Sequence, residues 1–110
     1  MKTWLASFQV ERGGECFDVH LLLRAESEIM AEAGCGCMGQ AWWPGGALES
    51  EGCYWRYRCG DVWLKLVWPP GDAESALFNA PGFLDTWSVS GQPAAPEVWD
   101  LSGERWKDFR

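Results

Sequence analysis

The feature that most constrains this chain is a pair of glycines, Gly13 and Gly14, set between two runs that alternate apolar and polar residues. A two-residue Gly-Gly loop suits a primed β-turn, which needs positive φ and matches the twist of its flanking strands. That turn implies a register. Val10 faces Phe17, Phe8 faces Val19, Ala6 faces Leu21 and Trp4 faces Leu23, so every pair on one side is apolar. The other side pairs Glu11 with Cys16, Gln9 with Asp18 and Ser7 with His20, and Arg12 meets Glu15 at the turn. A slip of one residue would carry the apolar set to the wet side. The sequence therefore predicts a long antiparallel hairpin with one dry face.

The remaining elements are read from caps, breakers and alternation. Ser27 can cap a helix that begins at Glu28. Ile29, Met30, Ala33 and Cys37 would form its apolar side. Gly34, Gly36 and Gly39 weaken it by about 1 kcal/mol each relative to alanine, and Pro44 ends it by Trp43. A loop from Gly34 onward is the rival reading. Residues 44–52 read as a glycine-rich, acidic connection. A second hairpin turns at Gly60-Asp61 and pairs Cys59 with Val62, Tyr57 with Leu64, Trp55 with Leu66 and Cys53 with Trp68. In that register Arg56 opposes Lys65. Pro69-Pro70-Gly71 ends the strand, and Asp72 can cap a short helix to about Asn79. Residues 83–90 alternate as a fifth strand, 91–96 read as a linker, and 97–110 as a loosely packed tail holding a short strand and then a turn or half-formed helix. The expected fold class is α+β: one domain over residues 1–110, an antiparallel sheet of two hairpins plus a C-terminal strand, with helices packed on one face.

Charge narrows the function classes. Lys plus Arg is 9 against 16 Asp plus Glu, a net charge of -7. Phosphate backbones and anionic membrane surfaces would be repelled, so direct nucleic-acid or membrane binding is disfavoured and a basic protein partner is favoured. The first dozen residues alternate and lack an unbroken apolar core, which does not read as a signal peptide. No stretch approaches the ~20 apolar residues of a spanning helix. A soluble, cytoplasmic protein is expected. The single Asn and Ile beside many Ala, Gly, Trp and Pro fit GC-rich coding in a bacterium or its phage.

No residue set announces catalysis. Cys16, Cys35, Cys37, Cys53 and Cys59 lack the paired spacing of a zinc site, and Cys53 and Cys59 on one strand would stand ~20 Å apart. They read as small hydrophobes in a reducing compartment. Cys16 and His20 have the types for nucleophilic catalysis, but four residues along a strand is ~13 Å. Gly34-Cys35-Gly36-Cys37-Met38-Gly39 matches G-x-G-x-x-G only formally, since it follows a helix signal rather than a strand. The expectation is no catalytic residue, no metal and no cofactor.

Tryptophan is the remaining oddity, with nine copies. The predicted registers bury Trp4, Trp55, Trp68 and Trp87. Trp42, Trp43, Trp63, Trp99 and Trp106 fall in loops, on wet faces or in the tail, and exposed tryptophan is typical of binding hot spots. Glu26, Glu28, Glu32, Glu49 and Glu51, with Trp42 and Trp43 as anchors, form the expected partner-binding set. Tyr54, Arg56, Arg58, Trp63 and Lys65 form a secondary basic and aromatic face, read either as a stacking surface or as a solvated strand face. In size, acidity and solubility the chain resembles phage- or mobile-element-encoded inhibitors of nucleic-acid machines, such as anti-CRISPR proteins. It also resembles immunity proteins that block nuclease toxins. The resemblance is one of bulk properties. It implies steric or DNA-mimic docking on a basic surface of a CRISPR effector or nuclease. The alternatives are a homo-oligomeric structural module, such as a homodimer, and a small zinc- or thiol-dependent enzyme.

Overall fold

The computed structural model describes residues 1–71 and 84–106. Its elements, in chain order, are β1 (Lys2–Arg12), β2 (Glu15–Ala25), α1 (Glu28–Gln40), β3 (Glu49–Glu51), β4 (Tyr54–Arg56), β5 (Gly60–Trp68), β6 (Thr86–Gln92) and β7 (Ala95–Asp100). The strands form one sheet in the order β3-β4-β5-β1-β2-β6-β7. The first hairpin has the register that its glycines imply, from Lys2 opposite Ala25 to Arg12 opposite Glu15. Gly13 and Gly14 take φ of 62° and 84°, the positive pair that a primed turn requires.

The fold class differs from the expectation. The described chain is mostly β, and its sheet is mixed rather than antiparallel. β6 pairs with β2 in parallel, through Leu22–Thr86, Leu23–Trp87 and Arg24–Ser88. The cause is which edges remain open. β5 is paired by β1 on one side and β4 on the other, so the returning chain joins the free edge of β2. Nor do several helices cover a face. Among the described residues there is one helix, α1, and the sheet curls so that both of its wings reach it, β4 and β5 on one side and β6 and β7 on the other. The helix expected over 72–79 lies outside the described residues.

Ser27 caps α1 as expected, its hydroxyl accepting the Met30 amide at 3.3 Å. The buried side of the helix is a different one, formed by Met30, Ala31, Gly34, Cys35, Met38 and Gly39. Ile29 is 64% exposed. Gly34 abuts Val89 of β6 and Gly39 abuts the Trp55 ring of β4, so neither site has room for a Cβ. These glycines, which weaken the helix locally, are what let both wings close on it.

Three strand expectations are corrected. The acidic connection contains β3, which pairs Glu49 with Arg56 and Glu51 with Tyr54 across a turn at Gly52-Cys53. The second hairpin is displaced by four residues: Trp55 faces Val62 rather than Leu66, and the Tyr57 amide donates to Gly60 across the turn. The supposed linker at 91–96 is a hairpin connection, with Gln92 opposite Ala95. A bulge in the β1–β5 pairing opposite Ser7 and Phe8 also turns the end of β5 over. Leu66 and Trp68, expected in the core, are therefore 43% and 38% exposed. Phe17, at the projecting tip of the first hairpin, is also exposed. The short strand expected at the start of the tail is present as β7, and Trp106 beyond it is buried. No helix among the described residues is long and apolar enough to cross a membrane.

Candidate functional site

Glu26, Glu28, Glu32, Glu49 and Glu51 are all exposed. Their elements do not share one flat face. Glu28 and Glu32 stand one turn apart on α1, whereas Glu49 and Glu51 lie on the edge strand β3. Glu49 is engaged by Arg56, with an ion pair of 3.0 Å whose hydrogen bond and charge hold the Glu49 carboxyl below its ordinary range. Glu32 and the Gly52-Cys53 turn that follows Glu51 line a common groove of about 460 Å³. Its floor is Trp55, Leu64 and Val67, and Lys65 stands on its wall.

The secondary basic set divides. Tyr54 stacks on Trp63 with ring centroids 5.4 Å apart, and its hydroxyl donates to Asp61. Asp61 also sits opposite Arg56 in the β4–β5 register. Arg56 thus has carboxylates on both flanking strands, and the expected clash with Lys65 does not arise. Lys65 lines the groove instead, and Arg58 borders a separate hollow beside Pro44 and Leu48.

Trp42 and Trp43 are not exposed anchors. They are 4% and 9% exposed. The segment after α1 turns inward, and its rings join an aromatic cluster. Trp42 packs on Phe8 at 4.9 Å and on Trp106 at 5.4 Å, and Trp106 meets Trp87 edge-on at 4.9 Å. Trp43 meets Tyr57 edge-on at 5.0 Å. Tilted and edge-on contacts of this kind suit the ring quadrupoles. The Tyr57 hydroxyl donates to the Gly39 carbonyl and accepts the Trp42 amide, so it ties down the end of the helix.

Beside this cluster lies a pocket of about 330 Å³ that sequence reasoning did not find. Trp42, Trp43, Trp87 and Trp106 wall it, with Phe17 at the hairpin tip. Arg12 and Asp85 supply its charged groups, and the Arg12 guanidinium rests 5.7 Å from the centre of the Trp43 ring. The one available signal is Phe17, the last apolar residue of the dry face, which stands exposed near the hairpin tip.

The cysteines are free and scattered: Cys35 is buried, Cys37 half-buried, and Cys16, Cys53 and Cys59 exposed. Burial, with Glu32 and Cys53 nearby, pushes the Cys35 thiol up to about 12, which makes it a poor nucleophile. Cys16 accepts from the Gln9 amide at 2.9 Å. His20 meets Ser7 at 2.7 Å, the cross-strand pair that the register implies. Among the described residues no group of three or more His, Cys, Asp or Glu side chains could hold a metal ion. No protein-family model matches the chain, and neither a curated protein nor a solved structure does.

Proposed function

We propose that this chain is a binding protein that docks on a basic surface of a larger protein, through the groove between α1 and the β3–β5 wing. The observation that carries this reading is the shared groove: Glu32 and the turn beside Glu51, distant in sequence, edge one apolar trough. An apolar floor with a charged rim is the usual anatomy of a protein interface. The net charge of -7 would speed encounter with a cationic partner. Such a partner is a nucleic-acid-processing protein, whose Lys and Arg side chains otherwise hold phosphate. Occupying them would inhibit it sterically and electrostatically.

The test uses an arginine-rich peptide with alternating leucines, immobilised for surface plasmon resonance. Glu32→Lys combined with Glu51→Lys is expected to slow association about tenfold at low salt, with the difference shrinking as salt screens the charges. Both side chains are exposed, so folding is expected to be retained. Unchanged association rates at low salt would contradict the proposal.

A further inference from the structure

The groove leaves the aromatic pocket unexplained, and the two share no lining residue. The pocket encloses about 330 Å³, at the small end of the range for ligand sites. Seven of its nine lining residues are apolar, and Arg12 and Asp85 are the other two. The register keeps these two apart. Arg12 stands opposite Glu15, whereas the Asp85 carbonyl accepts the Leu22 amide at 2.9 Å, so seven positions of β2 separate them. Each end of the pocket therefore has its own charge.

The cationic end is the one prepared for a ligand group. Arg12 lies on the same side of β1 as Val10, and its guanidinium is held 5.7 Å from the centre of the Trp43 ring. A guanidinium held over a ring keeps N–H donors along its edge, in the fork that matches a carboxylate. No acid of the chain uses them: the ion pairs among the described residues are Arg56–Glu49 and Arg105–Glu97, and Glu15 across the strand makes none with Arg12. We propose that the pocket binds a small aromatic monocarboxylate, its rings among the tryptophans and its carboxylate on Arg12. A neutral ring compound would fill the same space and leave the guanidinium without its partner. A compound with an anion at each end would bring the second one against Asp85. The site does not depend on the groove or on its partner.

The test is an amide chemical-shift titration of the intact ¹⁵N-labelled chain with 2-naphthoate. Beside it run 2-naphthamide, its neutral isostere, and naphthalene-2,6-dicarboxylate, which carries an anion at both ends. Naphthoate is expected to shift Phe17, Val19, Trp43 and Trp87, which line the pocket. The amide and the dicarboxylate should each bind about tenfold more weakly, the first through loss of a charge-assisted contact and the second through repulsion by Asp85. Arg12→Gln should weaken naphthoate about tenfold and leave the amide unchanged. Asp85→Asn should bring the dicarboxylate close to naphthoate. Arg12 and Asp85 are both exposed, and urea midpoints equal to the parent's would show that the variants fold. Glu32→Lys with Glu51→Lys should leave naphthoate binding intact, which separates this site from the groove. No shifts at millimolar naphthoate would overturn the proposal, as would equal affinity for naphthoate and its amide, or naphthoate binding that Arg12→Gln leaves unchanged.

Discussion

Replacing Tyr57 with phenylalanine is expected to destabilise the fold by about 2–4 kcal/mol, although only one oxygen is removed. Tyr57 is 5% exposed, and its hydroxyl serves two backbone groups, the Gly39 carbonyl and the Trp42 amide. The Gly39 carbonyl is among the groups a helix C-terminus leaves without an intrahelical partner, and the Trp42 amide follows directly after the cap residue Ala41. In the phenylalanine variant both would stay buried, and each lost partner costs about 1–3 kcal/mol. The ring itself, edge-on to Trp43, is retained, so packing is a constant in the comparison. In a domain of this size each kcal/mol lowers Tm by roughly 4–8 °C. A calorimetric Tm within about a degree of the parent would show that the hydroxyl does not hold the end of the helix.

The second large effect is expected at Gly60, where β5 begins opposite Arg12. A Cβ there would overlap the backbone carbonyl oxygen of Glu11. That oxygen belongs to the central strand and cannot swing aside as a side chain would. The Gly60 carbonyl is also held by the Tyr57 amide at 2.8 Å. Gly60→Ala should therefore cost about 3 kcal/mol, through overpacking against a fixed neighbour. Gly36→Ala is the matched contrast. Gly36 sits within α1 with open space around its would-be Cβ. There alanine should stabilise by about 0.5–1 kcal/mol, since glycine is the poorer helix former. Urea midpoints moving in opposite directions would support the packing described. Equal midpoints for Gly60→Ala and the parent would refute the close approach of β1 and β5.

The two variants also mark what was legible in the sequence. The first hairpin is readable to the residue because its information is local: two glycines that permit positive φ and eleven paired residues on each side, most of them alternating. The cap at Ser27 is local in the same way. The second hairpin lies four residues from its expected register because Gly60-Asp61 has the residue types of a turn, whereas the chain turns between Tyr57 and Gly60. A displacement by an even number keeps every side chain on its face, so alternation could not expose the error. β3 carries two glutamates and a serine at a sheet edge, where no apolar alternation is needed, and it read as a loop. The parallel pairing of β2 with β6 joins Leu22 to Thr86, and no local pattern encodes it. The burial of Trp42 and Trp43 is not legible for a related reason. They follow the helix in an irregular segment, and their burial comes from distant rings, Phe8 and Trp106 among them. The glutamates were recognised as exposed, but their meeting with the β3–β4 turn depends on how the sheet curls.

The most direct test of the acid-edged groove as a docking surface is an amide chemical-shift titration of the ¹⁵N-labelled chain with the arginine-rich peptide. The expected shifts gather on Glu32, Gly36, Gly52, Cys53 and Lys65, which line the groove, and leave Phe17 and Asp85 at the far pocket unmoved. Shifts confined to residues outside the groove, or none at millimolar peptide, would contradict it.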